Sequence, residues 1–167
     1  QMVTYVSAIA NGGKVFQPYL VDKVVSSDGE ILQQYSPRLV NQAAIDPENL
    51  ALVRQAMTGV MQPGGTAYYL FSNFPPNIPV AGKTGTAETG RAGDSKENDY
   101  HGVFVAFAPA DDPQIAFAGI IEYGYHGSSS SGYLAKAVFE QYFGIAPAPP
   151  PTAPAETVPE EGAPTPK

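Results

Sequence analysis

Gly102-Val103-Phe104-Val105-Ala106-Phe107-Ala108, followed after a short link by Gln114-Ile115-Ala116-Phe117-Ala118-Gly119-Ile120-Ile121-Glu122, is the stretch that decides the fold. Side chains of a strand alternate between its two faces. The first run therefore sets Val103, Val105 and Phe107 on one face and Phe104, Ala106 and Ala108 on the other. The second sets Ile115, Phe117 and Ile121 against Ala116, Ala118 and Ile120. Both faces of both runs are apolar, which predicts two central strands covered on each side. The link Pro109-Ala110-Asp111-Asp112-Pro113 is too short for a crossover, so the pair is expected to be antiparallel.

Helical patterns flank this pair. Downstream, Leu134, Val138, Phe139 and Tyr142 predict a helix from about Ser131 to Tyr142, ended by Gly144. Upstream, Asp46 is a good N-cap and Pro47 suits the first helical position. Leu50, Val53, Met57, Val60 and Met61 then form an apolar stripe, stopped by Pro63-Gly64-Gly65. At that spacing the methionines are read as core packing rather than a ligand groove. Tyr19 to Val25 and Glu30 to Tyr35 flank Ser26-Ser27-Asp28-Gly29, a hairpin signal. Met2, Val3, Val6 and Ile9 lie at helical spacing, stopped by Asn11-Gly12-Gly13. This helix begins at Gln1 with no capping residue before it, so the chain is expected to be a fragment of a longer protein. The order of helix, hairpin, helix, three strands and helix reads as an α+β fold, an antiparallel β-sheet flanked by helices.

Two regions are expected, residues 1–144 as the folded body and 145–167 as a tail. The last 23 residues hold eight of the chain's 17 prolines, with Ala, Glu and Thr making up most of the rest. Such a segment buries too little apolar surface to offset its ordering entropy and reads as an extended, solvated spacer. Composition excludes several function classes. Nine basic against 16 acidic residues give a formal net charge of -7 over 167 residues, against a nucleic-acid binder. No apolar run reaches the ~18 residues of a membrane span. The chain has no cysteine, which removes disulfides and cysteine-ligated zinc, and only two histidines, so a histidine-rich metal site is not expected.

Candidate chemistry is concentrated in Val80-Ala81-Gly82-Lys83-Thr84-Gly85-Thr86-Ala87. Read as a short edge strand, it turns Lys83 and Gly85 one way and Thr84 and Thr86 the other. Glycine at its centre lets a ligand backbone approach. A Lys ammonium beside two Thr hydroxyls is a good carboxylate receptor, and backbone N–H groups of the strand can face a developing oxyanion. Gly82-Lys83-Thr84 also looks like the end of a P-loop, but Asn77 stands where that motif needs glycine.

The wider context resembles the C-terminal part of the transpeptidase domain of class B penicillin-binding proteins. The resemblance covers roughly residues 1 to 144. It rests on Ile9-Ala10-Asn11-Gly12-Gly13, Gly65-Thr66-Ala67, Ala81 to Ala87, Val103 to Pro109 and Asp112-Pro113-Gln114-Ile115-Ala116, in that order. The short loop and the Ala-Pro turn look most like the cell-elongation subgroup, the penicillin-binding protein 2-like enzymes. Of the family's three motifs only Lys-Thr-Gly is present, as Lys83-Thr84-Gly85. No serine of the chain starts Ser-x-x-Lys or Ser-x-Asn.

The resemblance implies a fragment of a peptidoglycan D,D-transpeptidase that cross-links stem peptides by Ser acyl transfer and takes β-lactams. The nucleophilic Ser would lie on the remaining N-terminal part of the same protein. Lys83 would add positive charge to the cleft and help place the proton network around that Ser. Thr84 and Thr86 would take the carboxylate of a stem peptide or β-lactam, Gly85 would keep the strand open, and the Thr86 N–H would be one oxyanion donor. No metal or cofactor is implied. The parent would sit on the extracytoplasmic face of the bacterial cell membrane, anchored by an N-terminal helix, with a lipid-linked glycan polymerase as a further partner. A β-lactamase or carboxypeptidase of the same fold, or a non-catalytic β-lactam-sensing module, are the competing readings.

Other residues rank lower. Ser128 to Ser131 read as a loop and helix cap. His126, in Tyr123-Gly124-Tyr125-His126-Gly127, is assigned to the surface or to loop packing, and His101 to a structural role. Thr89 to Asp99, with Arg91, Asp94, Lys96, Glu97 and Asp99, reads as a solvated loop bordering the cleft, and Glu88 is close enough to tune the motif.

Overall fold

The computed structural model describes residues 1–90 and 100–146. The tail from 147 onward and most of the expected charged loop, residues 91–99, lie outside them. Helix α1 (Met2–Ala10) buries Val6 and Ala10, one turn apart. It stops where expected: Gly12 and Gly13 take φ of 83° and 92°, a region closed to most side chains. Helix α2 (Pro47–Gly59) starts as the sequence predicts, the Asp46 carboxylate accepting the Glu48 N–H at 2.7 Å. Its buried line runs through Leu50 and Met57 and on to Met61, while Val53 sits on the flank of that line and is exposed.

Between α1 and α2 the chain makes two short ribbons. Strands β2 (Lys23–Val25) and β3 (Ile31–Gln34) form the expected hairpin, closed by a bond from the Ser26 N–H to the Glu30 carbonyl at 2.8 Å. The hairpin is shorter than the sequence suggests, because every strand residue is exposed and no buried face extends the pairing. Outside it, β1 (Lys14–Phe16) pairs antiparallel with β4 (Leu39–Gln42), a ribbon not foreseen from the sequence. Helix α3 (Tyr68–Phe71), also unforeseen, is a single turn that drives Leu70 and Phe71 into the core.

The sheet that organises the molecule has the order β5-β6-β7, with β5 (Ala81–Glu88), β6 (Tyr100–Ala108) and β7 (Ile115–Ile121), both pairings antiparallel. Only β6 is central among the described strands. The two faces expected of it are both buried. Phe104, Ala106 and Ala108 pack with Leu70, Phe71, Ala135 and Phe139 on the side of helix α4 (Ser131–Phe143). Val105 and Phe107 pack with Val6, Ala10 and Met57 on the side of α1 and α2. The α4 side is aromatic: Phe71 stacks on Phe104 with centroids 6.3 Å apart and meets Phe139 at the same distance.

Among the described strands β7 pairs only with β6, and Ile120 is 57% exposed. Helices α1 and α4 both pack against β7. One expectation is corrected here, in α4. In α4, Leu134, Val138 and Tyr142 are exposed, and the contact line is Ser131, Gly132, Ala135 and Phe139. Small residues at the first of these positions bring the helix close to the sheet, and Phe139 fills the gap farther along. The α+β class, antiparallel sheet with flanking helices, stands.

Candidate functional site

Alternation along β5 is fixed by its packing. Gly82 is buried against β6: a Cβ there would lie 2.6 Å from the Val105 carbonyl oxygen and 2.7 Å from Met61 Cε. That contact explains why glycine precedes Lys83, and it removes the phosphate-loop reading, since Ala81–Glu88 is one regular strand in register with β6 throughout. Among the described strands β5 pairs only with β6, so its other edge is open, as expected of a strand that receives a ligand.

Each of the sequence-predicted site residues sits on this strand. Lys83 is exposed, with Nζ donating to the Thr84 carbonyl at 2.6 Å. Gly85 faces Val103, whose Cβ would lie 3.2 Å from an added methyl. The Thr84 and Thr86 hydroxyls each have a neighbour that lies far away in sequence. Thr84 Oγ1 is 3.0 Å from Thr66 Oγ1, contributed by the turn between α2 and α3. Thr86 Oγ1 is 3.5 Å from His126 Nδ1, contributed by the loop between β7 and α4. Glu88 ends the strand, exposed, opposite Tyr100.

The β7–α4 loop is tightly built. Tyr123 and Tyr125 have φ of 56° and 62°, sterically unfavourable for bulky residues. The Tyr125 N–H donates to the Tyr100 carbonyl at 3.2 Å, and the Tyr123 N–H donates to His101 Nδ1 at 3.1 Å. His101 thus anchors this loop. The Tyr125 and His126 rings lie 4.1 Å apart. A Cβ on Gly127 would collide with the Val103 carbonyl and lie 2.7 Å from the Gly85 carbonyl, so the loop can reach β5 only with glycine here.

The serine run belongs to the same loop. Ser129 and Ser130 both donate their hydroxyls to the His126 carbonyl, at 3.2 and 2.7 Å. Ser130 holds the N-cap position of α4, but its hydroxyl makes no cap bond. Ser131 is fully buried, and its hydroxyl has no partner among the described residues. His126, assigned from sequence to the surface or to loop packing, is exposed and packs on Tyr125 as expected, and it also stands beside the motif. Thr66 was quoted in a sequence block but given no role.

Helices on both faces of an antiparallel sheet, with Lys-Thr-Gly-Thr on its open edge strand, define a penicillin-binding transpeptidase fold. The family model of the penicillin binding protein transpeptidase domain matches residues 1–143, and the chain belongs to that family. The chain is 29% identical over 157 residues to penicillin-binding protein 2A of Bacillus subtilis, covering 86% of this chain and 21% of the relative. It is 34% identical over 131 residues to the peptidoglycan D,D-transpeptidase PbpA of Mycobacterium tuberculosis, covering 75% of this chain and 24% of the relative. The structure of penicillin-binding protein A from M. tuberculosis as a ceftriaxone acyl-enzyme complex superposes with a TM-score of 0.68 at 28% identity, over 83% of this chain and 30% of that one. The chain thus spans about a fifth to a quarter of the curated relatives' length.

Proposed function

We propose that this chain is the Lys-Thr-Gly-bearing part of a peptidoglycan D,D-transpeptidase that is also acylated by β-lactams. One observation carries the reading. Two threonine hydroxyls stand on an open strand edge, each with a polar group against it, in a chain whose relatives include a D,D-transpeptidase and a β-lactam acyl-enzyme. Such a pair binds a carboxylate, the group shared by a D-Ala-D-Ala stem peptide and a β-lactam.

In this mechanism the nucleophilic Ser comes from a Ser-x-x-Lys segment outside these 167 residues. Its Oγ attacks the penultimate D-Ala carbonyl. The Thr86 N–H helps stabilise the resulting oxyanion, and the terminal D-Ala leaves as the amine, taking a proton. A second stem-peptide amine then attacks the ester and releases the Ser hydroxyl, leaving the cross-link. Lys83 contributes positive charge where the oxyanion and the ligand carboxylate gather. Gly85 leaves room for the peptide backbone along the edge. By analogy with the family, the complete protein is proposed to work at the extracytoplasmic face of the bacterial cell membrane, held by an N-terminal helix, with a lipid-linked glycan polymerase as a partner.

The test is acylation of the complete protein by a fluorescent penicillin, followed by release. A long-lived adduct, lost in Thr84→Val/Thr86→Val, supports a transpeptidase. Rapid hydrolysis of the adduct points to a β-lactamase, and a long-lived adduct on a protein that joins no stem peptides points to a non-catalytic β-lactam-sensing module.

A further inference from the structure

A threonine hydroxyl carries one proton and two acceptor lone pairs. It donates to a carboxylate only if no other acceptor holds that proton, and a donor behind the oxygen turns the proton outward. Thr86 is exposed, so its outer side is free for a ligand, and His126 Nδ1 lies 3.5 Å from its oxygen. With the ring proton on Nδ1, the imidazole donates to Thr86 Oγ1 and aims the hydroxyl proton at the ligand.

His126 is held in this place by its surroundings. Its carbonyl takes the hydroxyls of Ser129 and Ser130, and its ring rests against Tyr125. The next residue, Gly127, packs against the carbonyls of Val103 and Gly85 with no space for a side chain. Two tyrosines on the approach to it accept a left-handed backbone. Backbone strain of this kind persists where the surrounding structure enforces it, and it gathers at functional sites. We infer that His126 is a positioning residue: its Nδ1–H orients the Thr86 hydroxyl toward the carboxylate of stem peptide or β-lactam. The inference rests on the carboxylate role of Thr86 given above.

The experiment uses the complete protein and compares acylation by benzylpenicillin with acylation by its methyl ester, which lacks the charged carboxylate. His126→Ala and His126→Phe are both made, the second keeping a ring against Tyr125. Each is expected to lower the acylation rate constant for the acid about three- to tenfold, the scale of one neutral hydrogen bond, and to leave the ester rate unchanged. His126→Asn, whose amide can place a donor near the Nδ1 position, restores most of the loss. In a Thr86→Val background His126→Ala has no further effect. Equal losses on acid and ester, no loss, no rescue by Asn, or a full His126→Ala penalty without the Thr86 hydroxyl would each overturn the inference. A wild-type protein acylated by neither compound overturns the transpeptidase reading itself.

Discussion

Gly82→Ala perturbs the strand that carries the site by a single methyl group. The added Cβ would lie 2.6 Å from the Val105 carbonyl oxygen, 2.7 Å from Met61 Cε and 3.1 Å from Ala106 Cβ. Met61 is the end of a flexible side chain and can swing away. The Val105 carbonyl cannot, because it belongs to the central strand, and a carbon normally rests about 3.3 to 3.6 Å from such an oxygen. Strand β5 must therefore move outward by roughly 0.7 Å or more. Overpacking of this kind costs about 1–3 kcal/mol. A displacement near 1 Å at a catalytic constellation costs on the order of a hundredfold in rate. Urea unfolding of the complete protein should thus show a lower midpoint at unchanged slope. Penicillin acylation measured on the folded fraction should fall by about ten- to a hundredfold. Wild-type stability together with wild-type acylation would refute the claim that the contact between Gly82 and Val105 sets the position of Lys83 and Thr84.

Three further outcomes are expected. Lys83→Ala in the complete protein should cut acylation by about two to three decades, the scale for losing one preorganised electrostatic group, with the melting temperature nearly unchanged because the residue is exposed. Phe139→Ala should destabilise by about 3–5 kcal/mol in denaturant unfolding, since this fully buried ring closes the core between α4, Phe71 and the sheet. Deleting Ala146 to Lys167 should leave melting and β-lactam acylation nearly unchanged, because a proline-rich segment whose bulkiest aliphatic residue is Val158 is expected to add no core.

Much of the fold was legible because the signals were local. The face sets of β6 follow directly from alternation, and the start of α2 from Asp46-Pro47. The β1–β4 ribbon was not legible. Its strands are three and four residues long, lie on either side of another hairpin, and share no turn signal. At the site, Lys83, Thr84, Gly85 and Thr86 were found from their tripeptide context. Thr66 was given no role and His126 only a surface or loop-packing one, because they reach the strand from 18 and 40 residues away. For His126 a local sign did exist: a glycine directly after it in an aromatic run, which marks close approach to another backbone.

The central claim is that these residues supply the carboxylate-binding strand and not the nucleophile. Intact-mass and peptide mass spectrometry of penicillin-treated protein tests it most directly. The account predicts one adduct on the complete protein, at the Ser of a Ser-x-x-Lys sequence outside this chain, and no adduct on the isolated 167-residue chain. An adduct on any serine of this chain, such as Ser128 to Ser131, would contradict it.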